Sequence, residues 1–464
     1  MQRSCVLALA LACTPSAPVS DDTLDTQGAD TAPAVQAEPW SGRLPPADAA
    51  VDPPRDWTAL RAVFHLHSPW SHDACDGRGW VEGKLDTACL DDLRHGLCET
   101  RFDVAFLTDH PDYADAQPFE EMLHPREGDA WVRDGDRVGR AVACPDGHEV
   151  IWRAGFEDEL MPVALQRHVD PDQPTRHALL NASDAAAVDA MTQAGGFVMM
   201  AHTEGKDLDR LRKLQDEGLH AVEVFNLHAM FGPDIRKDDL GLDPFGWLGD
   251  VGPFLQAGDV EPDLFFLGVH QAQPPSLERF DALLARGPIM ATAGTDAHQN
   301  VLTTPMSDGE RGDSYRRMLR WFSTMLLARG RTLADIDEAV AARRSFVAFE
   351  ALGTPTGLDF RLDTDDSVVE MGGEGPPGTL VVTCPTLAAG VPRGLQPPEI
   401  RVRVIKDGEV WQQDCGSFEA EPGAYRVEVE MVPRHLADFL VDAPTLAERA
   451  YPWIYTGGIR VVAR

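Results

Sequence analysis

Between residues 62 and 293 the chain repeats one alternation: a short apolar run, then a stretch with polar and apolar residues at helical spacing. This pattern constrains the fold more than any other feature. It is the pattern of βα units around a parallel sheet, because a strand covered on both faces reads as a continuous apolar run while its connecting helix keeps one wet face. The runs predict strands over 62–67, 104–108, 150–156, 196–201, 221–226, 264–269 and 289–293, with helices over 185–194, 208–217 and 277–285. Seven strands suggest a βα barrel, although an eight-stranded barrel or an open doubly wound sheet gives much the same pattern.

After a helical stretch over 333–342 the character changes. Short β-rich runs at 380–383, 400–405, 425–431 and 459–462 are separated by Pro and Gly turns, which points to a small C-terminal β-sandwich beginning near Gly353. The acidic, Gly- and Pro-rich stretch 363–378 is expected to be a surface loop. Trp411, Tyr451, Trp453 and Tyr455 are expected to pack the sandwich core rather than to form a binding platform.

The start of the chain, MQRSCVLALALAC, has an early Arg3, an apolar run and a small residue before Cys13, and resembles a lipoprotein-type export signal over 1–13. It implies a lipid on Cys13 and a place in the periplasm or cell envelope. Residues 14–57, rich in Ala, Pro, Asp and Thr, read as a flexible tether. Six cysteines follow Cys13, an even number that an oxidising compartment allows to pair. Cys384 and Cys415 are expected to pair with each other. Cys75, Cys89, Cys98 and Cys144 allow three connectivities that sequence cannot choose among.

With 75 acidic against 41 basic side chains, the formal net charge is -34, which disfavours long nucleic acid as a partner. A small phosphorylated molecule is not excluded, because divalent metals can attract it locally.

The chemistry lies where the predicted strands end. F-H-L-H-S-P-W-S-H-D carries His65, His67 and His72; residues two apart on a strand point the same way, so His65 and His67 can grip one metal. F-L-T-D-H delivers Asp109 and His110, A-G-F-E ends in Glu157, V-M-M-A-H in His202, E-V-F-N-L-H in His228, and A-G-T-D-A-H supplies Asp296 and His298. In a βα barrel such ends converge on one mouth. Imidazole with carboxylate suits zinc, iron or manganese, and so many ligands exceed the needs of one ion. Glu223 is expected to orient a ligand rather than to be one. His124, His148, His168, His177, His270 and His435 are expected to be ordinary packed or surface histidines.

These ordered segments, spanning 59–349, resemble the polymerase and histidinol phosphatase (PHP) family of metal-dependent phosphoesterases. The resemblance implies a distorted seven-stranded βα barrel over 58–352 with a trinuclear site, followed by the β-sandwich over 353–464. It implies that His65, His67 and Asp296 hold one metal, that Glu157 bridges to a second completed by His202 and His228, and that His72, His110 and His298 hold the third. The implied reaction is hydrolysis of a small phosphomonoester or phosphodiester by a hydroxide bridging two metals. Asp109 is the candidate acid, and Arg236 and Lys237 are candidate phosphate contacts, with a solvated charge pair as their alternative. A metal-dependent C–N hydrolase and an envelope binding protein with a structural metal cluster are the rival functions.

Overall fold

The computed structural model describes residues 40–391 and 394–463. The export signal with Cys13 and the tether up to residue 39 lie outside the described residues. From Trp40 onward the chain forms one compact unit.

Strand β1 (Thr58–Val63) pairs in parallel with β2 (Val104–Leu107), which pairs in parallel with β4 (Glu149–Ala154); the antiparallel strand β3 (Arg137–Ala143) lies beyond β4. A second, four-stranded sheet runs β8 (Met290–Gly294), β7 (Ala221–Asn226), β6 (Phe197–Met200) and β5 (Met161–Val163), parallel except for the β5–β6 pair.

The predicted barrel does not close. The free edge of β1 is taken by an antiparallel strand, β9 (Ser323–Ala328), over Thr58–Ala62, so β8 cannot form a ladder there. Only an isolated bridge, Leu66↔Ala297, joins the two sheets on that side, and another, Ala154↔Leu165, joins them on the other. The sheets therefore face a common mouth without continuous hydrogen bonding around it.

The elements between the strands follow local rules. In α1 (Leu208–Glu217) the Asp207 carboxylate caps the N-terminus by accepting from the Arg210 amide, and Gly218 ends the helix at φ 119°. In α3 (Leu333–Ala341) Thr332 and Asp335 form a capping box. Between them, α2 (Pro274–Arg286) starts with Pro at its first turn.

The segment 264–269, expected as a strand, is instead the end of a 3₁₀ helix, Pro262–Gly268, and its C-cap residue Val269. Every residue of that helix is buried, and an apolar run covered all round has no period with which to distinguish strand from helix. The stretch 363–378 likewise contains short strands, Val368–Glu370 and Glu374–Gly375.

Apart from the two-stranded pair Pro355–Thr356 and Thr386–Leu387, the strands after Gly353 fall into two groups. Asp359–Asp363, Val368–Glu370, Gly378–Thr383 and Gly416–Ala420 make a four-stranded antiparallel sheet. The others extend the main sheet, because Tyr451–Thr456 pairs antiparallel with β10 (Ser345–Ala348), the neighbour of β9. Tyr451, Trp453 and Tyr455 are buried there, and Trp411 packs its ring against Phe418 and Tyr425. The same core holds a fully buried ion pair in which Arg61 of β1 donates twice to Glu350 at 2.7 Å, with Ser323 and Thr354 donating to the same carboxylate. It fixes the strand that carries the first ligand motif.

Among the described residues there are three disulfides: Cys75–Cys89, Cys98–Cys144 and Cys384–Cys415. No helix among the described residues is long and apolar enough to cross a membrane.

Candidate metal centre

β1 runs directly into F-H-L-H, so His65 and His67 leave its end on the same side and are fully buried. Their Nε2 atoms lie 3.1 Å apart. Facing them is Asp296, just beyond β8. Asp296 Oδ1 lies 3.2 Å from His65 Nε2, 3.4 Å from His67 Nε2 and 3.3 Å from His298 Nδ1. Oδ2 lies 3.2 Å from His202 Nε2 and 3.1 Å from His228 Nδ1. One carboxylate is thus shared by five imidazoles from four strand ends.

Asp296 and His202 both hold left-handed backbone, at φ 51° and 50°. Non-glycine residues adopt this region at some cost, Asp and His more readily than most, and it turns each side chain back into the mouth as the strand ends.

Glu157, after β4, is grouped with His65 and His67, and its Oε2 lies 3.0 Å from His110 Nδ1. His67 and His298 stack with ring centroids 3.7 Å apart, and His110 lies tilted against His67 at 4.7 Å. Four overlapping groups have ligand atoms close enough to share an ion: His67, His110 and His298; His65, His202 and Asp296; His65, His67 and Glu157; and His228, Asp296 and His298.

His72 stands at the rim instead. Its side chain is 45% exposed and its Nδ1 faces Asp112 at 3.1 Å. The next residue, Asp73, takes the inner place: its Oδ1 lies 3.4 Å from His298 Nε2 and its Oδ2 3.8 Å from His110 Nε2. Both Asp73 Oδ1 and His298 Nε2 are buried without a hydrogen-bond partner. Sequence reasoning passed over Asp73 because the imidazole beside it was the more conspicuous ligand type. The signal available was the S-H-D tripeptide itself, which offers two donors where one was counted.

Around the centre, polar groups orient the rings. Glu223 Oε1 accepts from His65 Nδ1 at 2.7 Å, and His67 Nδ1 lies 2.7 Å from Ser71 Oγ. Asp109 is 1% exposed; its oxygens accept from the Ser68 amide at 2.6 Å and the Ser68 hydroxyl at 2.8 Å. His124 Nε2 lies 2.7 Å from the same hydroxyl. Asp109 therefore fastens the turn after His67 and is not directed toward the mouth.

Arg236 and Lys237 do not join the cluster. Arg236 is buried and donates to the carbonyls of Met230 and Asp243, each at 3.0 Å. Lys237 is exposed beside Asp238. Of the histidines expected to be ordinary, His124, His270 and His435 are buried and hydrogen-bonded, and His148 and His168 bond backbone carbonyls. His177 bonds the Asp115 carboxylate.

The electrostatics follow from burial and crowding. Burial works to lower His65, yet the carboxylates of Asp296 and Glu223 outweigh it and lift the imidazole to about 10. His110 behaves alike: burial opposes and Glu157 and Asp73 prevail, again to about 10. His67, with burial and the neighbouring His298 acting together, is pushed well below the usual imidazole value. Burial alone would raise Asp296, but the surrounding imidazoles hold it far below the ordinary carboxylate range. Burial raises the Asp109 carboxyl to about 6 despite its bonds to Ser68.

The donor set fits divalent cations. Imidazole nitrogens and carboxylate oxygens are the ligands of zinc, manganese and iron, and the unpartnered Asp73 Oδ1 and His298 Nε2 face one another as a cation would require.

No family model matches the sequence, and no curated protein matches it. Among solved structures the chain is similar to a crystal structure of a two-domain protein containing a predicted PHP-like metal-dependent phosphoesterase from Bacteroides vulgatus ATCC 8482. The two are 12% identical; the match covers 91% of this chain and 99% of that chain, with a TM-score of 0.34. A likeness of that degree carries no argument about activity, which rests on the side chains.

Proposed function

We propose that this chain is a metal-dependent hydrolase of phosphate esters that holds about three divalent ions of zinc, manganese or iron. The observation that carries this reading is the Asp296 carboxylate shared by His65, His67, His202, His228 and His298. Five imidazoles around one carboxylate, three of them buried, are costly as packing alone, whereas they are what a multinuclear cation site needs.

His65, His67 and Glu157 would hold one ion; His202 and His228 with Asp296 a second; and His110 and His298 with Asp73 a third. Asp73 takes the part that sequence motifs assigned to His72, since it is the inner of the two. Bound divalent ions would supply a water acidic enough to attack near neutral pH and would withdraw charge from a phosphoryl group.

The chain's own residues prepare the site for this chemistry. Glu223 fixes His65 in the tautomer whose Nε2 faces the centre. Ser71 orients His67 and accepts from the His110 amide. Asp109, bound to Ser68, is a positioning group, which leaves protonation of the leaving group to solvent at the mouth. A small crevice lined by His228, Phe231, Phe266, Asp296, His298 and Met318 lies beside the cluster. The proposed substrate is a small phosphomonoester or a phosphodiester fragment.

Export with a lipid on Cys13 belongs to the same proposal and is supported by three disulfides, which persist in oxidising compartments. The test is metal analysis of the purified protein together with hydrolysis of p-nitrophenyl phosphate and bis-p-nitrophenyl phosphate. Two to three bound ions with phosphoester turnover are expected. Bound metal with turnover of an amide but of neither phosphate would move the assignment to a C–N hydrolase, and metal with no turnover at all to a binding protein.

A further inference from the structure

The turn that carries Asp73 is fastened more heavily than its length requires. Cys75 and Asp76 both have left-handed backbone at φ 57°, a conformation that two consecutive non-glycine residues do not hold unaided. Their amides donate across to the segment after Asp296: Cys75 to the His298 carbonyl at 2.8 Å and Asp76 to the Gln299 carbonyl at 2.9 Å. The Asp76 carboxylate is gripped by Arg311 at 2.9 and 3.0 Å. Finally, Cys75 is bonded to Cys89 near the start of the helix Thr87–Glu99. Cys98, near the end of that helix, is bonded to Cys144, next to the strand Arg137–Ala143. The helix is therefore stapled at both ends, to the sheet at one and to the Asp73 turn at the other.

We infer that the Cys75–Cys89 disulfide is a positioning element for one metal position, the one formed by Asp73, His110 and His298, and that the other disulfide on the same helix is not. The inference rests on the metal reading above. Asp73 is two residues from Cys75, and its inward oxygen faces His298 Nε2. Without the bond, the left-handed turn is released from the helix and Asp73 is free to swing toward solvent. The positions formed by His65, His67 and Glu157 and by His202, His228 and Asp296 have no such dependence, because their ligands follow the strands directly.

The two disulfides differ in a way that makes the inference sharp. Cys75–Cys89 closes a separation of 14 residues and Cys98–Cys144 one of 46. Closing the longer loop removes more unfolded-chain entropy, so loss of Cys98–Cys144 should lower thermal stability more. A merely structural role predicts that any metal loss follows the same order. A positioning role predicts the reverse order for metal.

The test compares the full-length wild type with Cys75→Ala/Cys89→Ala and Cys98→Ala/Cys144→Ala. Each is loaded with Zn²⁺, passed through gel filtration, analysed for bound zinc and titrated calorimetrically, with melting followed by circular dichroism. The first variant should lose one zinc per chain, or bind one at least tenfold more weakly, and keep the rest. The second should keep the wild-type zinc complement while melting at the lower temperature. If the first variant does not fold, Arg311→Gln frees Asp76 with all three disulfides intact and should weaken the same single zinc. A wild-type zinc complement and affinity in the variants at Cys75 and Arg311, or metal loss that tracks melting temperature across all variants, overturns the inference while leaving the metal reading standing. A wild type that binds no zinc, manganese or iron overturns both.

Discussion

Glu223 joins two strand ends through one carboxylate: Oε1 accepts from His65 Nδ1 at 2.7 Å and Oε2 accepts from the His202 amide at 3.0 Å. The first contact is buried and the second part-buried, and Asn226 donates to the second oxygen. Glu223→Ala should weaken metal binding by about 10- to 100-fold, as is usual when the group orienting a ligand is removed. Glu223→Gln keeps an acceptor and should have a smaller effect. Calorimetric titration with Zn²⁺ measures both, and equal affinity in all three proteins would remove Glu223 from the site.

Asp296→Asn and Glu157→Gln preserve shape and remove charge from the centre. Each should cut turnover of a phosphomonoester by at least about 100-fold. The far-ultraviolet circular dichroism should remain that of the wild type, since both side chains sit beyond strand ends. Retained turnover in either variant would remove that residue from the catalytic centre.

Arg236 and Lys237 are adjacent but should behave differently. Arg236→Met strands the carbonyls of Met230 and Asp243 and should cost about 1.5–3 kcal/mol of stability. Lys237→Ala should stay within about 0.5 kcal/mol of wild type. Neither should raise the KM for a phosphate ester of the protein that remains folded. A selective rise in KM for Lys237→Ala would restore it as a substrate contact.

Stability should fall as the solution is acidified from neutrality. Burial lowers His270 to about 4 and His435 to about 4, so both are neutral when folded and protonate earlier when unfolded. Their contribution is fully present above the unfolded value of about 6.5 and is lost as pH falls through about 4. For His270 the swing is about 3 kcal/mol. His270→Gln keeps a donor for the Pro452 carbonyl but does not titrate in this range. The gap in melting temperature between this variant and wild type should therefore narrow between pH 7 and pH 4. Parallel curves would show that His270 does not contribute to the acid limb.

The proposed export can be checked in a bacterial host. The full chain should partition into detergent from a bacterial host, and Cys13→Ser should release it to the aqueous phase. Recovery of unprocessed wild-type chain from cytoplasm would end the lipoprotein assignment.

The sequence by itself determined most of the side chains that meet at the mouth and, for most elements, where strands and helices run. His65, His67, His110, Glu157, His202, His228, Asp296 and His298 were legible because each follows an apolar run, and a ligand-type side chain at a strand end is a local signal. The helix Leu208–Glu217 was legible for the same reason, since its period lies within its own residues and its cap, Asp207, and terminal glycine, Gly218, lie next to them. Only the tertiary structure decided what depends on partners distant in the chain. Strand periodicity encodes burial and not which edge a neighbour will occupy, so nothing local announced that Ser323–Ala328 would take the edge of Thr58–Val63 and keep the barrel open. The pairing of Cys75 with Cys89 and of Cys98 with Cys144 was undetermined because connectivity depends on the separation of Cα atoms in space, 6.0 and 5.6 Å here. The inward place of Asp73 over His72 was settled likewise by a left-handed turn bonded to a segment more than two hundred residues away, where backbone geometry, and not residue type, decides which of two neighbouring donors faces the centre.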